Sequence, residues 1–357
     1  MKFCFLLVLL FMAGCSSAQK ENEFMESFER SEKNTPEVNV KAPEVLLEKF
    51  EIEKTEVKEE AQDKKLPTTK SSQSLINKIN GAEKKDIKKS VSLTKVSAVQ
   101  AKKLPTDYPE LMTEINKKAQ LVWNRYIPNH YTDEKNYLDI HYLGMTVGKI
   151  MVMNKGKKMI NGKEVWHLHA RFKSAPFYSS IYELDDTVDT YVTTDEFLSL
   201  RYSLIQRESK QNVDDLQLND RDQMKTFWFY KQKKSDGKLK NKEKEAHIPY
   251  FSIDPFSVLF FYQGLPLKNG DVYEIPLINK AKILILKSVV EGRETIETEV
   301  HKKVRAIRVH ATTKYTGETL KDGDLTFWFT DDAKRTLIKA SAKIKLGSVT
   351  ADIVDGK

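Results

Sequence analysis

Two histidines stand at a spacing that could bind a metal ion. His167 and His169 are separated by one residue in a run with strand-like alternation, so both imidazoles are predicted on one face of a β-strand. This geometry lets two imidazoles reach one ion such as zinc. No third ligand is evident near them, and polar alternation on the solvent face of a strand explains the pair equally well. We therefore predict no metal site and no cofactor, and keep metal binding as an alternative.

Carboxylate pairs that could hydrolyse a glycosidic bond occur in two acid-rich stretches. Asp185 and Asp186 stand near Asp189, and Asp331 precedes Asp332. Glycoside hydrolysis needs two carboxyl groups about 5 to 10 Å apart across a groove, whereas adjacent acids in turns usually accept hydrogen bonds from backbone amides. The sequence holds no nucleophile-elbow, zinc-protease, phosphate-loop or dinucleotide-binding motif. We predict no catalytic residues and no enzyme, with an envelope glycan hydrolase as the alternative.

The N-terminus has the pattern of an export signal. Lys2 precedes an apolar run of about eleven residues, which is short of the about 20 that a membrane-spanning helix needs. The segment Met12 to Cys15 resembles the bacterial lipobox. This resemblance implies cleavage after residue 14 and acylation of Cys15, which would hold the protein at a membrane. An ordinary secretory signal with an incidental cysteine is the alternative.

Cysteine content and charge exclude several kinds of site. Cys4 would leave with the signal peptide (residues 1–14) and the sulfur of Cys15 would carry lipid, so we expect no disulfide, no thiolate nucleophile and no cysteine metal site. The formal net charge of +8 falls only by Lys2, to +7, when the signal is removed. This mild positive charge is interleaved with acids, and nucleic acid is not an expected partner of an exported lipoprotein.

Residues 15–105 have the composition of a disordered tether. They are rich in Lys and Glu, carry several prolines and contain no aromatic residue after Phe50. Such a segment cannot bury enough apolar area to offset its conformational entropy. We expect only transient helix, around Glu44 to Glu60 and Leu75 to Lys89. A flexible tether of this length reaches about 50 Å from the membrane.

The next segment, residues 106–130, is predicted to form an amphipathic helix packed on the domain that follows. From Asp107 to Tyr126, apolar residues recur on one helical stripe, with Thr106 or Asp107 as cap and Pro128 beyond the end. The stripe consists of Leu111, Ile115, Val122 and Tyr126.

Residues 131–357 are predicted to be mostly β. Apolar and polar residues alternate with a period of two, as in Trp166 to Phe172, and Asn-Gly or Asp-Gly pairs such as Asn161-Gly162 separate the runs. Hairpins in succession make an antiparallel meander. About ten to twelve strands are too many for a flat sheet, so we expect a full or partial barrel, or two packed sheets.

One short helix without a polar face interrupts the strands. Asp254 is a predicted N-cap, Pro255 suits the first turn, and Gly264 is a natural stop. A helix that is apolar all round must be enclosed, so we predict that it plugs one mouth of the curled sheet; a ligand-facing surface is the alternative. The candidate residues are Phe256, Leu259, Phe260, Phe261 and Tyr262.

Several blocks of the β region resemble a known family. They are Tyr142 to Gly148, Asp254-Pro255 with the aromatic helix, Leu265 to Asp271, Phe327 to Asp332 and Leu346 to Ala351. In this order they are similar to the domain of unknown function 3108, over about residues 137–354. The resemblance implies an exported β-rich domain of Gram-negative bacteria with no established reaction, so it contributes no catalytic residues.

These patterns favour a non-enzymatic binding or scaffolding lipoprotein of the cell envelope. The membrane is the predicted partner through Cys15, and the β domain is expected to engage a lipid, a glycan or another envelope protein. Ser16 after the acylated cysteine is compatible with the outer membrane by precedent.

Overall fold

The computed structural model describes most of the β region and three pieces of the chain before it. The described residues are 24–28, 36–53, 104–130, 132, 134–315, 318–344 and 346–356, with the side chains of residues 315 and 318–323 left aside. The predicted signal peptide, Cys15 and the larger part of the predicted tether lie outside them. Among the described helices, none is long and apolar enough to cross a membrane.

Within the described residues, the strands form a single antiparallel sheet of fourteen strands, in agreement with the predicted mostly β fold. The strands are β1 (Lys135–Tyr142), β2 (Met145–Ile160), β3 (Lys163–Ser174), β4 (Asp185–Thr193), β5 (Ser199–Glu208), β6 (Gln211–Asp220), β7 (Lys225–Lys234), β8 (Leu239–His247), β9 (Val272–Asn279), β10 (Lys282–Ile296), β11 (Val304–Tyr315), β12 (Glu318–Thr330), β13 (Leu337–Lys343) and β14 (Ser348–Val354). The described helices are residues 24–28, α1 (Glu44–Lys49), α2 (Glu110–Trp123), α3 (Pro176–Ser179) and α4 (Val258–Phe261), which a 3-10 turn (Tyr262–Gly264) continues.

The strand order places the connections at two ends of the sheet. Strands β1 to β8 pair in succession, β9 to β14 do the same, and β1 pairs with β14. Because all these neighbours are antiparallel, the seven connections that follow odd-numbered strands lie together, and we call this end the hairpin end. The connections that follow even-numbered strands form the other end. That end also carries α4, so we call it the helical end.

The sheet is curled but not closed, since its edge strands β8 and β9 are not paired with each other. Side chains of β6 nevertheless reach the β9–β10 hairpin. Gln217 Nε2 donates to the carbonyl of Ile278 at 3.1 Å, and Lys280 lies 3.5 Å from a carboxylate oxygen of Asp215. These contacts bring the two halves of the sheet together, so the architecture is the partial barrel among the predicted alternatives.

Alternation along the strands separates an interior from a convex face. On β3, Leu168 belongs to the main core cluster, which Trp166 flanks, while Val165 packs in a different cluster on the opposite face. The interior also holds Phe261 and Phe329, both fully buried. Side chains therefore alternate between the two faces of the sheet, as the predicted period of two requires. The apolar side chains on the inner face form the core of the curled sheet.

The N-terminal segment covers part of the convex face, and here the tether prediction is wrong. Phe50 is only 4% exposed and packs with Val165 and other convex-face residues. Arg201 donates to the Phe50 carbonyl at 3.1 Å, and Phe28 is fully buried in a cluster with Met151. All aromatic residues of the predicted tether lie before residue 53, and residues 36–53 also carry several branched apolar residues, which explains why this part can pack although the segment as a whole is polar.

Helix α2 has the predicted amphipathic character but not the predicted start. It begins at Glu110 after Pro109, and no side chain caps it, so neither Thr106 nor Asp107 is the cap. Ile115, Val122 and Tyr126 are buried as expected, whereas Leu111 remains 49% exposed. The prolines before the helix keep the backbone extended, so the helix begins three residues later than predicted.

Candidate ligand-binding interior

The aromatic helix is fixed to the sheet by one buried carboxylate. Asp254 Oδ1 accepts hydrogen bonds from the backbone N–H groups of Phe256 and Ser257, at 3.0 and 2.9 Å. Its Oδ2 accepts from Thr190 Oγ1 on β4 at 2.6 Å. Asp254 thus binds the amides of the turn that leads into α4 and ties that turn to the inner face of β4. The helix itself begins at Val258 with Ser257 as its N-cap and without a side-chain cap, so the predicted N-cap position of Asp254 is wrong, because residues 255–257 form a turn and not the first helical turn.

The aromatic side chains that follow are enclosed by the protein. Phe261 and Tyr262 are fully buried and Phe260 is 8% exposed. The Phe261 ring lies 4.5 Å from that of Trp123 and stacks on Tyr126 at 4.8 Å, measured between ring centroids. These contacts leave these three rings no surface for a ligand, which is the arrangement expected of a plug.

Hydrogen bonds to backbone carbonyls hold the aromatic helix at the helical end. Ile127 N–H donates to the carbonyl of Gly264 at 2.9 Å. The Arg335 guanidinium, from the β12–β13 connection, donates to the carbonyls of Gln263 at 3.1 Å, Leu265 and Pro266 at 3.2 Å. A Cβ on Gly264 would meet Tyr126 at 2.3 Å, so only glycine permits this close approach. Side chains and backbone together therefore hold the aromatic helix at the helical end.

Phe256 and Leu259 differ from the other candidate residues because they are only partly buried. Phe256 packs against both the main core and a second interior cluster around Leu138 and Ala170. The apolar side chains that remain partly exposed along this wall are Ile140, Val152, Phe172, Tyr202, Leu337 and Ala340. Two of the five candidate residues thus join an apolar interior surface that protein atoms do not fully cover.

A carboxyl pair lies at the hairpin end of the interior. Gln206 Nε2 donates to Asp186 Oδ2 at 3.0 Å and to Glu208 Oε1 at 2.8 Å, so one amide bridges the two acids. Tyr182 donates to Glu208 Oε2 at 2.5 Å. Burial raises the pKa of Asp186 to about 7. The sequence signal for this network is the spacing of Gln206 and Glu208, which share one face of β5. A pattern of adjacent acids in turns does not include it.

The predicted carboxylate sets are not brought together. Asp185 binds the Arg171 guanidinium through both oxygens, at 2.7 and 2.6 Å, while Asp189 lies on the opposite face of β4 from Asp186. Asp331 pairs with Arg293 at 3.0 Å and Asp332 caps backbone amides, both at the helical end. These acids neutralise arginines or cap turns, and no predicted pair faces another across a groove.

His167 and His169 are buried, so their expected place on a solvent face is wrong. They are 8% and 3% exposed, and Asp189 from the neighbouring β4 is 5% exposed. His167 Nε2 lies 2.6 Å and His169 Nδ1 lies 2.8 Å from the same Asp189 Oδ1. The third potential ligand, Asp189, could not be predicted from the sequence, because its position depends on the strand register that pairs it with His169. The same convex face carries the packed residues 36–53.

The cluster is held together by hydrogen bonds to one carboxylate oxygen. Burial lowers the pKa of His167, so the imidazole is neutral near pH 7. Burial alone would raise the pKa of Asp189, but hydrogen bonds from both histidines outweigh it and hold that pKa below its usual range. The three ligand atoms lie within 4.8 Å of one another, close enough for a zinc-type ion. Such an ion would replace both hydrogen bonds and add charge close to Arg201 and Lys155.

Comparisons with known proteins identify a family whose function is unknown. A family model described as protein of unknown function (DUF3108) matches residues 138–354. Comparison with curated proteins finds no match. Among solved structures, the chain is similar to a crystal structure of a beta-barrel-like protein of domain of unknown function DUF1849 from Brucella abortus, with 10% identity and a TM-score of 0.39, over 62% of this chain and 95% of that chain.

Proposed function

The chain belongs to the DUF3108 family of proteins of unknown function, and from that premise we propose that it is a lipid-anchored envelope protein whose curled sheet binds the acyl chain of a lipid. The observation that carries this proposal is the incompletely covered apolar wall around Phe256, Val152 and Ala340. Ligand sites are concave and mostly apolar, with few polar groups. A lipid chain fits such a wall better than a glycan, which needs many hydrogen-bonding partners.

The anchor is supported by the sequence at Cys15. The preceding apolar run and the small residues Ala13 and Gly14 fit export followed by acylation, and Ser16 fits delivery to the outer membrane. Mass spectrometry of the N-terminal peptide from envelope-purified protein tests this part. We expect a diacylglyceryl group and an amide-linked acyl chain on Cys15; an unmodified N-terminus, or a retained signal, would contradict it.

A hydrolase is less well supported. Its candidate acids are divided between the two ends of the sheet, and the bridged pair of Asp186 and Glu208 has the amide of Gln206 between its carboxyl groups. Neither arrangement leaves an open groove for a sugar ring and a water molecule. A binding role therefore accounts for more of the observed chemistry than glycan cleavage does.

Titration with a fluorescent fatty acid tests acyl binding directly. Ala340→Phe adds a ring at the partly covered interior wall and is expected to weaken binding about tenfold or more. Ala333→Phe adds the same ring at an exposed turn and serves as the matched control. Circular dichroism checks that both variants fold. Equal affinity of all three proteins, or no binding by the wild type, would overturn the proposal.

A further inference from the structure

Four large apolar side chains are exposed at the hairpin end. Leu143, Ile181, Leu239 and Leu346 are 68%, 51%, 66% and 75% exposed. Leu143, Ile181 and Leu346 belong to the connections after β1, β3 and β13, and Leu239 is the first residue of β8; the strand order places all four at the same end. Isolated exposed leucines are ordinary, but apolar residues that share one end of a domain are typical of an interaction surface.

Leu143 occupies a position that a leucine rarely takes. It and Gly144 form a tight turn in which both φ angles are positive, 49° and 79°. Asn161 and Gly162 form the equivalent turn at the helical end with 50° and 68°, and this is the pair that such turns favour. A branched apolar residue is strained in the left-handed region. The turn geometry therefore does not explain why leucine stands here, whereas insertion into an apolar medium would.

Leu143 and Leu346 belong to one continuous patch. Tyr142 donates to the carbonyl of Leu346 at 3.0 Å, and a Cβ on Gly347 would lie 3.7 Å from Leu143 Cδ2. Beneath them, Phe177 and Ile344 are partly buried against the cluster of Tyr142 and Tyr178. The two exposed leucines are thus held by a packed apolar base.

The surroundings of this patch are basic. Exposed lysines of the hairpin end include Lys210, Lys234, Lys238, Lys240 and Lys343. The exposed acids of the same connections are Glu183 and Asp236, and Asp236 is paired with Lys238 at 2.8 Å. Exposed leucines and exposed lysines at the same end of the sheet match the chemistry of an anionic bilayer surface, since lysines attract the headgroups while leucines enter the acyl boundary.

We propose that the hairpin end docks on an anionic phospholipid bilayer without help from the acyl anchor. This goes beyond the proposed function, because it does not require acylation of Cys15 or a ligand in the interior. It orients the domain: the helical end with its plug points away from the bilayer. Ile140 and Phe172, the partly covered interior residues nearest the ends of β1 and β3, then lie towards the bilayer.

Site-specific fluorescence on vesicles tests the docking. The chain from residue 15 with Cys15→Ser keeps every described residue and has no other cysteine. Single variants Leu143→Cys, Leu346→Cys and, as control, Leu121→Cys on α2, which is 66% exposed, are labelled with an environment-sensitive dye. Vesicles of phosphatidylcholine, alone or mixed with phosphatidylglycerol, are then added.

We expect a blue shift at positions 143 and 346 with the anionic vesicles, a loss of the shift at high salt, and no change at position 121. In sedimentation with unlabelled protein, the double variant Leu143→Glu and Leu346→Glu is expected to bind anionic vesicles about tenfold more weakly, while Leu121→Glu binds like the parent. Dyes that remain in water at 143 and 346, an equal response at 121, or undiminished binding of the double variant would each overturn the proposal.

Discussion

Asp186 is a buried carboxyl whose protonation state is set by its surroundings. The Gln206 amide and the N–H of Arg207 donate to it, but burial dominates and raises its pKa to about 7. In the unfolded chain an aspartate titrates near 4. The folded state therefore binds the extra proton between about pH 4 and pH 7, and the stability that this proton brings is lost as the pH rises through 7.

Asp186→Asn should remove this dependence on pH. The free energy of unfolding of the wild type should fall, relative to that of the variant, by at most about 4 kcal/mol between pH 4 and pH 8. Urea unfolding at several pH values measures the difference. Asp236→Asn is the control, because hydrogen bonds from Lys238 lower the pKa of that exposed carboxyl and cannot produce the same trend. A difference independent of pH would contradict the assignment.

Asp189 holds two buried imidazoles in place. Asp189→Ala leaves the donors of His167 and His169 without their acceptor, and we expect a loss of about 3 kcal/mol in the free energy of unfolding. Because both imidazoles already bind Asp189 through hydrogen bonds, treatment of the wild type with a chelator should leave the melting temperature unchanged. A lower melting temperature after chelation, restored by zinc, would instead establish a metal site.

At the scale of residues, the sequence indicated which side chains share a face but not what covers them. His167 and His169 do lie on one face, as the period of two predicts. Their burial depends on the packing of the convex face, and their partner Asp189 on strand register. Both are long-range properties that no local pattern carries.

The plug in the helical end depends on one close approach between elements. Gly264→Ala would place a methyl group 2.3 Å from Tyr126 and 2.6 Å from the carbonyl of Ile127. We expect a loss of about 3 kcal/mol or more, measured by thermal unfolding. Gly237→Ala has open space around it and should lose only about 1 kcal/mol, through its positive φ. Equal effects would show that the contact does not matter.

The N-terminal segment is an element of the fold, and Phe50 attaches it. Phe50→Ala should lower the free energy of unfolding by about 3 kcal/mol and make residues 36–53 sensitive to protease. Val45→Ala, at a position 76% exposed, should change neither. Rapid cleavage of the wild type within residues 36–53 under native conditions would be inconsistent with a packed segment.

Element boundaries were predictable where local chemistry fixes them. The Asn161-Gly162 turn joins two strands as expected, and Asp254 binds the turn that leads into the aromatic helix, although it is not the N-cap of that helix. The start of α2 and the packing of residues 36–53 were not predictable. At the start of α2, the prolines keep the backbone extended past the predicted cap. In residues 36–53, a few apolar side chains of a polar segment pack against a sheet that is distant in sequence.

For the whole molecule, the succession of hairpins predicted a meander and its length predicted curvature. The pairing of β1 with β14 and the contact of Gln217 with Ile278 bring the two halves of the curled sheet together. These contacts join residues far apart in the chain, so no local sequence pattern predicts them. The edge strand β8 was hard to foresee because its residues are charged and mostly exposed, as suits an edge that must resist further pairing.

The most direct test of the central claim is native mass spectrometry of the β domain purified from a bacterial envelope without its acyl anchor. The account predicts an added mass that denaturation releases and that lipid extraction identifies as an acyl-chain lipid, and this mass should be lost in Ala340→Phe but kept in Ala333→Phe. A clean ligand-free mass for the wild type, or an added mass that survives Ala340→Phe unchanged, would contradict acyl binding in the interior.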